Sequence, residues 1–390
     1  MPVLTVKEEQ RLTSKTSCDQ ASVDFFQDEG YGDNEKKASA TANGTNTPDV
    51  NRKRAAANGK PQPHPQTLPI YTIRKSDKTV ADLVDIGAYL TNPAFDKAEI
   101  PSILERASKA SVKFIVILGV NLSSSRYALK LCDEFEGKHS GVQLRCVVGV
   151  SPMHAKTTVC RTDSEGKYLF GGPTFHRQLE ELIHTKLGRK YVVGIGECGL
   201  DYSGKKDNGT ERLNQRKVLR KQIEVAEKLG LPVVLRAREA YADLVTVIKP
   251  YLGKVKCVLA SYDGPIKPLK ELVEAGVYIG LNSACTKGKG FNLDILYEIP
   301  WNRCMVGSAA PYLPPRNIKN VRRDQPLKNE PSSISFVVKR LAELDDQSYE
   351  VTAGYTSQAA MKFFGLGQVA RMTENGVDIA RTAKILSYSI

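Results

Sequence analysis

From residue 83 onward the chain alternates short apolar runs with amphipathic stretches. The runs are LVDIG (83–87), VKFIVILG (112–119), VQLRCVVGV (142–150), VVGIGECG (192–199), LPVVLRA (231–237), KCVLAS (256–261), VYIGLN (277–282) and CMVGS (304–308). Each is rich in Val, Ile and Leu and nearly continuous, the pattern of parallel strands covered on both faces. Between them the spacing predicts helices over 96–110, 125–137, 176–187, 211–229, 239–252, 266–275 and 291–298. In the helix over 211–229, Val218, Ile223 and Ala226 fall at helical spacing, Gly230 stands at the C-cap and Pro232 follows. Eight strands alternating with helices over 83–308 predict an α/β fold, a (β/α)8 TIM barrel. A doubly wound open sheet is the alternative. Two further helices, over 331–346 and 356–364, are expected to close the outer ring.

Residues 1–68 show no such period. They are rich in Ser, Thr, Asn, Asp, Ala and Lys and end in KPQPHPQTLP, a composition that cannot bury enough apolar surface to offset the entropy of ordering. The expected organisation is a disordered low-complexity tail over 1–68, the barrel over 69–366 and a loosely attached C-terminal tail over 367–390.

Charge sharpens the picture. The net charge is +13, and residues 1–70 hold nine Lys/Arg and nine Asp/Glu, so the excess belongs to the folded part. A basic domain favours DNA or another polyanion, although charge alone also serves solubility. The tail is the candidate for recruiting a protein partner, and Asn51, Arg52, Lys53 and Arg54 make a weak match to a nuclear import signal. No apolar run is long enough to span a bilayer, and MPVLTVKEEQRLTSK lacks the core of a secretory signal. The expectation is an intracellular chain, cytoplasmic and/or nuclear, without a membrane partner. The eight cysteines form no CxxC pair and several lie in apolar runs, which predicts reduced core residues rather than a zinc finger.

Chemistry in a TIM barrel sits just beyond the strand ends, and several segments there carry a resemblance. DIGAYLTNPAF (85–95) is similar to the form D-I-G-x-N-L-T-x-x-x-F. GIGECGLDY (194–202) matches G-E-C-G-L-D-[FY]. LPVVLRAREAY (231–241) aligns with L-P-[VM]-x-L-H-x-R-x-[AS], and SYDGPIKPLKELVEAGVYIGLN (261–282) follows a motif that opens H-C-F-x-G. VGSAAPYLPPR (306–316) and KNEP (328–331) track I-E-T-D-[AS]-P-[YW]-[LC] and [RK]-N-E-P. In order and separation these resemble the TatD family of metal-dependent deoxyribonucleases, over about 83–366.

The resemblance implies a divalent metal held by the Glu of the fourth-strand motif, the His of L-H-x-R, the His of H-C-F and the Asp of E-T-D. That metal would activate water for hydrolysis of phosphodiester bonds at DNA ends. Only Glu197 matches this set. The other three ligand positions carry Arg236, Ala260 and Ala309, and Ser151 stands for the substrate-side His of G-x-H-P. Of the histidines at 64, 139, 154, 176 and 184, only His154 is near a strand end. Magnesium is less demanding, and Asp85, Glu197, Asp201 and Asp263 at or after strand ends are the carboxylates from which a site would have to be rebuilt. Each also has a structural reading: Glu197 as a paired buried carboxylate, Asp201 as a turn cap, Asp85 as an organiser of the first loop. Arg236 and Arg238, two apart on one side of a strand end, would make a cationic pocket for phosphate, or Arg236 would pair with Glu197.

Three functions follow. The first is a pseudoenzyme with no cofactor that binds nucleic acid or a protein partner. The second is an active phosphodiesterase using Mg2+ or another divalent cation, and the third is an interaction scaffold.

Overall fold

The computed structural model describes residues 82–138, 140–159, 174–204, 209–287, 291–317 and 328–367, together with two short strands within 370–379. The tail expected over 1–68 and the basic cluster at 51–54 lie outside the described residues.

Eight parallel strands pair in sequence order around the sheet. The first half runs β1 (Leu83–Ala88), α1 (Ile100–Lys109), β2 (Val112–Leu118), α2 (Leu122–Phe135), β3 (Gln143–Val148), α3 (Ala155–Val159), α4 (Phe175–His184), α5 (Lys186–Tyr191) and β4 (Val192–Asp201). The second half runs α6 (Gly209–Leu229), β5 (Val233–Arg238), α7 (Tyr241–Ile248), β6 (Cys257–Leu259), α8 (Ile266–Glu274), β7 (Tyr278–Leu281), β8 (Cys304–Val306), α9 (Ile334–Leu344) and α10 (Tyr349–Phe364). Every apolar run of the sequence contains a strand. The reason is visible in the burial: Val, Ile and Leu on one side of each strand fill the barrel, and those on the other meet the helices. Val84, Ile86, Val116, Val147, Val234, Val258 and Met305 form the inner core.

The ring closes between β1 and β8 through loop backbone and one carboxylate. Ala309 N–H donates to the Gly87 carbonyl at 2.9 Å, and Tyr89 N–H donates to the Ala310 carbonyl at 2.8 Å. Asp85, fully buried, accepts from Gly87 N at 3.0 Å and Ser308 N at 2.8 Å on a single oxygen.

Two expectations change. The helix over 291–298 is a 3-10 stretch, Leu293–Glu298: six residues between the Asn292 and Ile299 caps are too few for a stable α-helix. The last helix begins at Tyr349 rather than 356, because the Ser348 side chain accepts from Val351 N–H and starts it early. Within the stretch over 367–390, β9 (Ala370–Thr373) and β10 (Gly376–Ile379) pair antiparallel. The cysteines at 132, 146, 198, 257, 285 and 304 are free and buried, as expected of core thiols.

Candidate functional site

The C-terminal ends of the strands gather most of the residues singled out above. Glu197 lies on β4 and is 2% exposed. Its neighbour across the mouth is Tyr89, from the loop after β1, whose hydroxyl donates to Glu197 Oε2. Arg236, on β5, directs Nη1 to the Tyr89 oxygen at 3.1 Å and to Glu197 Oε1 at 3.5 Å. The three side chains thus form a closed cluster of phenol, carboxylate and guanidinium. Burial and the Glu197 charge push the Tyr89 phenol well above its ordinary range, so it remains a hydrogen donor.

The rest of the mouth is apolar and aromatic. Ala260 immediately follows β6 and is 9% exposed, and Ala309, after β8, packs on the same inner cluster. Tyr312 sets its ring edge against Tyr89, with centroids 5.6 Å apart. Asn329 shapes this loop by donating Nδ2 hydrogens to the carbonyls of Ser308 (2.7 Å), Tyr312 (2.6 Å) and Leu313 (3.1 Å). Ala309 and Leu313 there hold left-handed backbone, φ 54° and 53°.

The remaining carboxylates are engaged elsewhere. Asp201 accepts from Ser203 N (3.0 Å) and Ser203 Oγ (2.6 Å). Asp263 accepts the Tyr241 hydroxyl at 2.6 Å, and Asp85 holds the seam. Among the described residues no three His, Cys, Asp or Glu side chains come close enough to share a metal ion. Ser151 is buried after β3, its N–H on the Val120 carbonyl at 2.8 Å. His154 ends the 3-10 turn Pro152–His154, beside Asn121, and is held neutral-leaning by burial. Arg238 ends β5 half-buried, and its carbonyl accepts from Tyr202 N at 2.9 Å. His139 lies outside the described residues.

Tyr89 is the principal residue that the sequence reading passes over. Its signal is present, because Tyr89 stands where D-I-G-x-N-L-T has Asn. Two glutamines are equally silent in the sequence. Gln215 on α6 bonds both backbone groups of Asp201, at 2.8 and 3.0 Å, and Gln222 bonds both of Val150, at 2.7 and 2.9 Å. They lock α6 to the mouth.

Fold and site together define a (β/α)8 barrel protein with its polar cluster at the end where barrel enzymes carry their chemistry. A family model described as TatD related DNase matches residues 84–365, and the chain belongs to the TatD family. It is similar to the 3'-5' ssDNA/RNA exonuclease TatD of Musicola paradisiaca, with 29% identity over 289 residues, 73% of this chain and 99% of that one. The protein of the same description from Erwinia amylovora is 29% identical over 287 residues, 73% of this chain and 100% of that one. Among solved structures, a TatD family hydrolase of Entamoeba histolytica superposes with a TM-score of 0.61 at 20% identity, covering 73% of this chain and 99% of that one. A TatD homologue of Escherichia coli does so with the same score and identity, covering 74% and 100%. These two likenesses show the fold alone.

Proposed function

We propose that this TatD-family barrel has exchanged metal-dependent hydrolysis for a metal-free mouth that binds phosphodiesters without cleaving them. The observation that carries this reading is the Tyr89–Glu197–Arg236 cluster. Of the ligand positions implied by the resemblance, Glu197 alone keeps a donor, and both its oxygens face hydrogen-bond donors of the chain itself. Arg236 has no lone pair for a cation, and Ala260 and Ala309 offer no side-chain atom to one. The groups present therefore do not fit a TatD-type divalent centre. What Arg236 does supply is fixed positive charge beside a buried carboxylate, with a planar fork suited to phosphate oxygens. Arg238 lies two residues further along the same strand. Relatives named as ssDNA/RNA exonucleases support nucleic acid as the ligand class.

The second reading is an active magnesium-dependent nuclease, favoured by those same relatives. It would draw on Asp85, Asp201 and Asp263, each held by a structural partner through Oδ1, with the buried Oδ2 atoms of Asp85 and Asp201 left without a hydrogen-bond partner. One experiment separates the two. Purified full-length protein is equilibrated with zinc, manganese or magnesium, assayed for metal content, and incubated with single-stranded DNA. Sub-stoichiometric metal and no cleavage beyond that of Glu197→Gln are expected. Stoichiometric metal together with cleavage, both lost in Glu197→Gln, would establish the nuclease instead.

A further inference from the structure

Helix α6 carries more positive charge on its outer face than its role in the barrel requires. Between 212 and 223 it holds Arg212, Arg216, Lys217, Arg220 and Lys221 and no acidic residue. Lys217, Arg220 and Lys221 are exposed, and Leu213 beside them is 44% exposed. Part of the charge is answered locally, by Asp243 to Arg216 at 3.0 Å and by Glu224 to Lys221 at 2.8 Å. Both contacts involve substantially exposed groups and exchange readily with other anions.

Two features point to a particular polyanion. The first is an aromatic ring at the N-terminal end of the ridge. The Arg212 guanidinium lies 4.4 Å from the Tyr202 ring centroid. A ring beside a row of cations suits bases and phosphates together, whereas an acidic peptide needs only the cations. The second is registration. Gln215 and Gln222 fix α6 to the ends of β4 and β3, and Tyr202 N–H bonds the Arg238 carbonyl. The ridge is thus held in one position relative to the mouth, which lowers the cost of binding a ligand that runs along it.

We propose that the outer face of α6 is a track for a single-stranded nucleic acid leading toward the barrel mouth. From Arg212 to Lys221 a helix rises about 13 Å, room for roughly four nucleotides at the 3.4 Å stacking interval. The track is separate from the Tyr89–Glu197–Arg236 cluster and does not depend on whether the mouth hydrolyses.

The test is fluorescence anisotropy of full-length protein with a labelled oligothymidylate, titrated with salt. Lys217→Glu with Arg220→Glu is compared with Lys339→Glu with Lys362→Glu, an equal charge change on α9 and α10 across the barrel. The ridge variant should bind at least about tenfold more weakly, and the slope of log affinity against log salt should fall by about 1.4, two phosphate contacts' worth. The control pair should stay close to the parent. A gentler pair, Lys217→Gln with Arg220→Gln, should give a weaker change in the same direction and guards against misfolding of the reversal variant. If ridge and control variants bind alike while the parent binds, the track is wrong and the mouth reading stands. A parent that fails to bind at low salt overturns both. Equal displacement by polyglutamate, or equal affinity for duplex, overturns the assignment to a single strand.

Discussion

Tyr89 and Glu197 are 108 residues apart in the chain and share a hydrogen bond at the barrel mouth, the phenol donating to carboxylate Oε2. This contact and the Arg236 guanidinium together give a buried carboxylate the partners that burial demands.

Tyr89→Phe removes the donor and leaves Glu197 Oε2 facing an apolar ring. The loss of stability should be about 1–3 kcal/mol, the desolvation penalty of a stranded acceptor. Chemical denaturation reads it directly. An unchanged midpoint would mean that solvent already serves that oxygen.

Arg236→Ala should weaken the fold less than a fully buried pair would suggest. Its side chain is 19% exposed, and Tyr89 still serves Glu197 when it is gone. About 1.5–3 kcal/mol is expected, the range for a hydrogen bond to a charged group. Arg236→Leu with Glu197→Gln should recover much of this, because neither charge remains stranded. In a double-mutant cycle, Tyr89→Phe and Arg236→Ala should lose more together than the sum of the single changes, since each backs up the other. Strict additivity would show that the two groups act separately.

Rebuilding the ligand set should create a metal site. Arg236→His, Ala260→His and Ala309→Asp restore the donors that the family motifs carry, and Tyr89→Asn frees Glu197. The backbone at Ala309 favours the change, since φ 54° is a region where Asp is more at ease than Ala. One divalent ion per chain, measured as metal content after dialysis, is the expected outcome. A folded variant without metal would mean that the strand ends have departed from ligand geometry.

Asp85 gives the fold a pH dependence of its own. Burial pushes its carboxyl from 3.8 up to about 6, against the opposing pull of Ser308 and Gly87. Between those values the folded state keeps a proton that the unfolded chain has released, so this group favours folding at low pH. Its contribution turns adverse as pH rises through the interval, by about 3 kcal/mol in all. Asp85→Asn keeps an oxygen for both backbone N–H groups and cannot ionise. The stability of the parent relative to Asp85→Asn should therefore fall from about pH 4 to about pH 7 and then level off. A difference independent of pH would show that Asp85 does not titrate in that range.

The sequence by itself determined the eight strands, their order and the end of the barrel where chemistry gathers. A strand buried on both faces must be apolar along its whole length, so each run announces itself locally. Motif order then carried Glu197, Arg236, Ala260 and Ala309 to one mouth, because strand ends converge in a closed ring of parallel strands. Only the tertiary structure decided what touches what. Tyr89 against Glu197, Asp85 across the β1–β8 seam, and Gln215 and Gln222 on the backbone of distant strand ends leave no periodic trace. Hydrophobic period records whether a position is buried along its own segment. The partner of a buried polar group is set by which distant segment closes against it, and that is fixed only when the ring is complete.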